Sequence, residues 1–109
     1  MTKVTIYRDR EGTFTGFCCE GHSGYAASGA DVVCAGISIL VINTANSIEA
    51  LTQTAVDGEA DEQKGRISVH FSSGCGPQAK LLVDAMILGL QGIQKNYGKK
   101  FLSFEFKEV

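Results

Sequence analysis

The sequence predicts a two-layer α+β domain in which two helices cover one face of a four- to five-stranded mixed sheet. Segments near both ends of the chain alternate apolar and polar residues, as half-buried strands do. Two longer segments carry apolar residues at spacings of three and four, which is typical of amphipathic helices. With 109 residues, 44% of them hydrophobic, the chain suffices for one core, so residues 1–109 are expected to form a single domain.

The first two predicted strands form a hairpin. The alternating run Val4 to Arg8 leads into a turn at Asp9–Gly12, and the run TFTGFCCEG follows it. The apolar phase changes between Phe14 and Phe17, which indicates a β-bulge at Gly16.

Two helices and two further strands complete the predicted order β-β-α-β-α-β. Asp31 is a natural N-cap for the first helix. The apolar stripe of that helix is predicted to comprise Val33, Ile37, Leu40, Val41, Thr44, Ile48 and Leu51. The second helix begins at Pro77 and stops at Gly98, and its predicted stripe comprises Ala79, Leu82, Val83, Met86, Leu90 and Ile93. RISVHF and FLSFEFKEV are the remaining strands, and an extra strand near Glu59 is possible.

Composition argues against several functional classes. The net charge of −2, without a basic cluster, disfavours direct nucleic-acid binding and is compatible with a basic protein or peptide partner. The apolar run Ala35 to Ile42 is too short to cross a bilayer, and the first ten residues contain no apolar secretory segment. We therefore expect a cytoplasmic protein without membrane contact, whose four cysteines are reduced.

The run HSGYAASGADVVCAG contains the most reactive chemistry. It places Cys34 in the first turn of the first helix, where unpaired N–H groups and the helix dipole favour a thiolate. His22, in a glycine-rich loop, could form an ion pair with that thiolate and later protonate a leaving amine. Asp31 could cap the helix, orient the imidazole, or do both.

The other cysteines and the second histidine give weaker signals. Cys18 and Cys19 are adjacent in a strand, so they point to opposite faces and one is expected in the core. Cys75 is predicted to be a turn residue, and His70 is predicted to be a solvent-facing strand residue. A zinc site could be drawn from Cys18 or Cys19 with His22, Cys34 and Cys75, but no CxxC spacing supports it, so no metal or cofactor is expected.

The run GHSGYAASGADVVCAGISIL resembles the signature of the bacterial ribosomal-processing cysteine proteases, the Prp family. That signature has a Gly-His pair, a spacer of small residues, Asp-x-Val-Cys-Ala and a serine one helical turn later. The matching positions are Gly21, His22, Asp31, Val33, Cys34, Ala35 and Ser38. The resemblance extends over the whole chain.

The resemblance implies a cysteine endopeptidase that removes the N-terminal extension of a bacterial large-subunit ribosomal protein. It makes Cys34 the nucleophile and His22 the general acid/base. Asp31, Ser38, Gly21 and Ala35 would support the site. It also implies a homodimer that needs no cofactor.

Two other functions remain open on the residues alone. A non-enzymatic ribosome-associated binding module would use Cys34 only as a core residue and would not need His22. A thiol redox or metal protein would use Cys75, Cys18 or Cys19 together with Cys34.

Overall fold

The computed structural model describes residues 2–21, 32–61 and 63–109 and confirms the predicted α+β class. The elements are β1 (Thr2–Arg8), β2 (Phe14–Gly21), α1 (Val32–Leu51), β3 (Asp57–Asp61), β4 (Arg66–His70), α2 (Pro77–Tyr97) and β5 (Leu102–Glu108). The strand predicted as possible near Glu59 is β3, so the order is β-β-α-β-β-α-β.

The five strands form one mixed sheet in the order β3-β4-β2-β1-β5. The pairs β1–β2, β2–β4 and β3–β4 are antiparallel, whereas β5 lies parallel to β1. The strands β1 and β2 form a hairpin, whereas the pairs β1–β5 and β2–β4 join segments that lie far apart in the sequence.

Gly16 marks the predicted bulge and also permits a close approach between strands. The register between β1 and β2 shifts between Tyr7, which pairs with Gly16, and Arg8, which pairs with Phe14. A Cβ atom at position 16 would overlap the carbonyl oxygen of Val69 in β4. Glycine is therefore required here by contact with the neighbouring strand.

The core lies between the sheet and the two helices. From α1 it takes Val33, Ile37, Val41, Thr44 and Ile48, as the periodicity predicts. Leu40 is only partly buried. The prediction was wrong for Leu51, which is 74% exposed because it is the last residue of α1 and the buried stripe ends one turn earlier, at Ile48.

The second helix has the predicted ends. Pro77 occupies its first turn, and the N–H of Gly98, at φ +100°, donates to the carbonyl of Gln94 at 2.8 Å. Its buried residues are Ala79, Val83, Met86, Ile87 and Leu90. Leu82 and Ile93, which were predicted in this stripe, are only partly buried, and Ile87 joins the core instead.

By length and composition alone, α1 is long and apolar enough to cross a membrane, a property that core helices of soluble proteins share. The apolar run Ala35 to Ile42, which Ser38 interrupts, did not reveal this, because the whole helix has 20 residues, from Val32 to Leu51. In the structure, the stripe that begins at Val33 packs in the same core cluster as Val4 and Phe17 of the sheet.

We predict that Gly16→Ala lowers the free energy of unfolding by about 2 kcal/mol or more, because the new methyl group must displace the backbone of β4. Urea denaturation measures this. Gly58→Ala is the matched control, since its Cβ would lie at an ordinary 3.9 Å from the carbonyl oxygen of Ser68. We expect the control to change stability by less than about 0.5 kcal/mol. Equal effects of the two substitutions would contradict the proposed contact.

Candidate active site

Cys34 lies in the first turn of α1, as predicted, because the helix begins at Val32. Its side chain is half-buried, between the core and the surface. The predicted N-cap Asp31 and the predicted acid/base His22 lie outside the described residues. The structure therefore describes the nucleophile candidate without its predicted partners.

The packing of α1 determines which of its residues face the site. The residues that directly follow the buried Val33, Ile37 and Val41 are Cys34, Ser38 and Ile42. Successive helical residues are rotated by about 100°, so these three form a second stripe beside the buried one. All three line one cavity of about 250 Å³, which we call the Cys34 cavity.

The opposite wall of the Cys34 cavity comes from four strands and the turn before β4. It consists of Thr2, Cys19, Gly21, Ala60, Asp61, Gly65, Arg66 and Ile67. Residues that lie far apart in the sequence thus meet beside the sulfur of Cys34.

Gly21 helps to create this space. It pairs with Thr2 across the β1–β2 ladder and adopts φ +92°, a conformation that favours glycine. Thr2 alternates with Val4 and Ile6, which belong to the core, so this register position faces the helices. The absence of a side chain at position 21 leaves room next to Thr2.

Cys19 supplies a neutral thiol to the cavity. The pKa of its thiol is raised to about 12, mainly because the thiol is buried. Electrostatic repulsion from Cys18, Cys34 and Glu20 raises it further. Cys19 and Cys34 line the same cavity. At neutral pH Cys19 therefore stays protonated and is a poor nucleophile.

Cys18 and Cys75 lie away from the Cys34 cavity. Cys18 points to the opposite face of the sheet from Cys19, as predicted, and accepts a hydrogen bond from Nε of Arg66 at 3.4 Å. Cys75 follows the far end of β4, and burial raises the pKa of its thiol.

Because Cys18 and Cys75 lie away from Cys34, neither is placed to form a redox pair with it. The same separation argues against a zinc site that combines Cys34 with Cys75. Within residues 2–21, 32–61 and 63–109, no group of three or more His, Cys, Asp or Glu side chains is arranged to hold a metal ion. His70 is exposed at the end of β4, as the alternation predicts.

The structure brings together three of the sequence-predicted site residues, Cys34, Ser38 and Gly21, in one cavity. Ala35, predicted as a supporting residue, is exposed and is absent from the cavity lining given by the described residues. The lining residues Thr2, Ala60 and Ile67 were not predicted. Of these three, only Thr2 could have been found from the sequence, because it is a polar residue at a core-facing position of an alternating strand.

A scan against protein families matches residues 1–101 to the family described as cysteine protease Prp. The chain belongs to the cysteine protease Prp family. It is 29% identical over 99 residues to the ribosomal processing cysteine protease Prp of Staphylococcus aureus, a match that covers 91% of this chain and 93% of that protein. It is also 29% identical over 101 residues to the protein of the same name from Bacillus subtilis, covering 89% and 90% of the two chains.

Solved Prp structures have the same fold. The S. aureus protease in complex with a covalently linked product peptide superposes with a TM-score of 0.90 at 28% identity, covering 98% of this chain and 100% of the other. The same protease with a substrate peptide gives a TM-score of 0.86 at 28% identity, with the same coverage. Membership in the Prp family thus agrees with a half-buried cysteine that lines a cavity and disfavours a binding module without catalysis.

We predict that the thiol of Cys19 makes stability depend on pH under alkaline conditions. In the unfolded chain this thiol has its ordinary pKa of 9.0, whereas in the folded protein its pKa is about 12. Below pH 9 both states hold the proton, and as the pH rises above 9 only the unfolded state releases it. The free energy of unfolding therefore falls by about 1 kcal/mol per pH unit from pH 9 upward.

Denaturant titrations of wild type and Cys19→Ala between pH 8 and 11 test this. Subtracting the two curves removes the titration of tyrosines and lysines. The wild type should lose stability more steeply than the variant, and parallel curves would contradict a buried, proton-retaining thiol at position 19.

Proposed function

We propose that this protein is a cysteine endopeptidase that removes the N-terminal extension of a bacterial large-subunit ribosomal protein. The observation that carries the proposal is the position of Cys34, which lies in the first turn of α1 and lines a cavity large enough for a substrate side chain. The relatives in S. aureus and B. subtilis are named as ribosomal processing proteases, and the S. aureus protease has been crystallised with peptides.

In the proposed mechanism, the Cys34 thiolate attacks the carbonyl carbon of the scissile bond. Backbone N–H groups at the start of a helix point outward along its axis, so those at the start of α1 are suitable donors to the developing oxyanion. His22 holds the thiolate as an ion pair and donates its proton to the leaving amine. Water then hydrolyses the thioester, with His22 acting as the general base.

Four residues support this chemistry in the proposal. Asp31 caps α1 and orients His22, and Ser38 lies one helical turn beyond Cys34 in the Cys34 cavity. Gly21 leaves the space beside Thr2 described above, and Ala35 keeps the surface next to Cys34 small. The reaction needs neither a metal ion nor a cofactor, because the thiolate and the imidazole supply the nucleophile and the proton transfers.

The proposed partners follow from the surface of the chain. The net charge of −2 favours a basic polypeptide substrate over nucleic acid, and the acidic strand β3 borders the Cys34 cavity through Asp61. We place the protein in the cytoplasm, where ribosomal proteins are processed. The buried stripe of α1 is used by the core, which argues against a membrane-spanning role for this helix.

We also propose a homodimer formed through the outer face of the helical layer. This face exposes Val32 and Ile39 of α1, seven residues apart, and Leu81 and Leu88 of α2 at the same spacing. No charged residue occurs in α1 before Glu49, and on α2 the charge of Asp84, which lies between Leu81 and Leu88, is paired with Lys80 at 2.7 Å. Apolar side chains at a seven-residue spacing on neighbouring helices are the pattern that helix–helix interfaces use.

We predict that Cys34→Ala abolishes cleavage of the ribosomal-protein precursor while the thermal melting temperature stays within a few degrees of wild type. Gel or mass-spectrometric assay of the purified precursor measures cleavage. His22→Ala should lower the rate by about 100-fold or more, because it removes the general acid. Cys75→Ala is the matched control and should cleave normally, since Cys75 lies at the far end of β4 from the Cys34 cavity.

Cleavage by Cys34→Ala would overturn the assignment of the nucleophile. The same variants can be treated with iodoacetamide at neutral pH and read by mass spectrometry. We expect Cys34 to react faster than the buried Cys18 and Cys19 and the half-buried Cys75, and its reaction to slow in His22→Ala.

We predict that Leu88→Glu converts the dimer to a monomer, because the substitution places a charge in the centre of the apolar helical face. Sedimentation velocity at micromolar concentration measures the change. Leu51→Glu is the matched control, since Leu51 is 74% exposed, similar to the 71% of Leu88, but lies at the end of α1. A wild-type monomer, or equal effects of both variants, would contradict this interface.

A further inference from the structure

Thr2 has a buried hydroxyl group whose hydrogen-bonding capacity is not used. The residue is 2% exposed. Among the residues that the structure describes, its Oγ1 is the one buried side-chain oxygen or nitrogen without a hydrogen-bond partner. Buried polar atoms in native proteins are nearly always paired, so an unpaired one calls for a physical reason.

The main chain of Thr2 is firmly held. Its N–H donates to the carbonyl of Phe101 at 3.0 Å, and it is paired with Gly21 on one side and with Leu102 on the other. Leu102 is completely buried. The backbone of Thr2 is therefore fixed by strands on both sides. Only its side-chain hydroxyl lacks a hydrogen-bond partner among the described residues.

The Thr2 side chain lines the same cavity as Cys34 and Ser38. Gly21, which pairs with Thr2 across the β1–β2 ladder, has no side chain that could give the buried hydroxyl a hydrogen-bond partner. The apolar lining is formed by Ile42, Ala60 and Ile67. A peptide bound at Cys34 would thus meet an apolar surface that also holds the hydroxyl groups of Thr2 and Ser38. The structure gives a buried hydroxyl without a partner only for Thr2 among the described residues.

The chemistry of this lining indicates what binds there. Cys19 is neutral because its pKa is about 12, so no charge from that residue competes for the hydroxyl. A threonine hydroxyl can donate one hydrogen bond and accept others, and a peptide group offers both a C=O acceptor and an N–H donor. In surroundings of low polarity such a neutral bond is stronger than in water.

We propose that Thr2 is a substrate-binding residue: its hydroxyl group forms a hydrogen bond with a peptide group of the bound polypeptide, beside an apolar side chain that fills the Cys34 cavity. This inference rests on the proposed protease function. It assigns to the first strand a role in positioning the substrate. The unpaired hydroxyl of the free protein obtains its partner when the substrate binds.

Thr2→Val and Thr2→Ser test the proposal. Valine has nearly the shape of threonine but lacks the hydroxyl, whereas serine keeps it. With the ribosomal-protein precursor as substrate, we expect Thr2→Val to raise KM about fivefold to tenfold with kcat nearly unchanged, as loss of one neutral hydrogen bond to bound substrate should do. Thr2→Ser should stay within about threefold of wild type.

Thermal unfolding of the same variants separates substrate binding from a structural role. Because the hydroxyl has no partner among the described residues, its removal in Thr2→Val should leave the melting temperature unchanged or raise it by a few degrees. A lower melting temperature together with lost activity would show that the hydroxyl stabilises the fold and would overturn the proposal. Unchanged KM in Thr2→Val would overturn it as well.

Failure of the protease function itself gives a different result. In that case the wild type would not cleave the precursor, and the uncleaved precursor would not bind to Cys34→Ala. If the wild type cleaves and Thr2→Val cleaves equally well at low substrate concentration, only the role of Thr2 is refuted.

Discussion

The packing of α1 against the sheet fixes the rest of the site. Val33, Ile37 and Val41 are almost completely buried, and each is followed directly by a residue that lines the Cys34 cavity. The helix cannot rotate without exposing its buried stripe to water, at a cost of roughly 1.5–3 kcal/mol for each large apolar side chain. The orientation of Cys34 is thus a consequence of the hydrophobic core.

The sheet contributes the second half of the site through its register. The pairing of Thr2 with Gly21 places a threonine beside a position without a side chain. The pairing of Cys19 with Ile67 brings two further lining residues of the Cys34 cavity together. A shift of one residue would turn every side chain of a strand to the other face. The bulge near Gly16 and its close contact with β4 lie at the other end of the same strand, β2, whose register they help to define.

Periodicity and turn residues in the sequence were sufficient to predict four of the five strands, both helices and the ends of α2, because these depend on local interactions. The acidic strand β3 lacks an apolar alternation and was predicted only as a possible extra strand. The same reasoning predicted that Cys34 lies in the first turn of α1. It misjudged Leu51, since a helical stripe does not reveal where the sheet beneath it ends. It also missed Thr2, Ala60 and Ile67 as neighbours of Cys34, because they are brought there by strand pairing between distant segments.

The parallel pairing of β1 with β5 has a consequence for how the protein is made. The N–H of Thr2 is held by Phe101, and β1 is flanked on its outer side by residues Leu102–Glu108. During synthesis the first strand emerges about a hundred residues before this partner. Thr2, a residue that lines the Cys34 cavity, therefore gains its outer neighbour only when this segment docks, a non-local step of the kind that folds late. A nascent chain accordingly carries Cys34 for most of translation before the strand that anchors Thr2 is available.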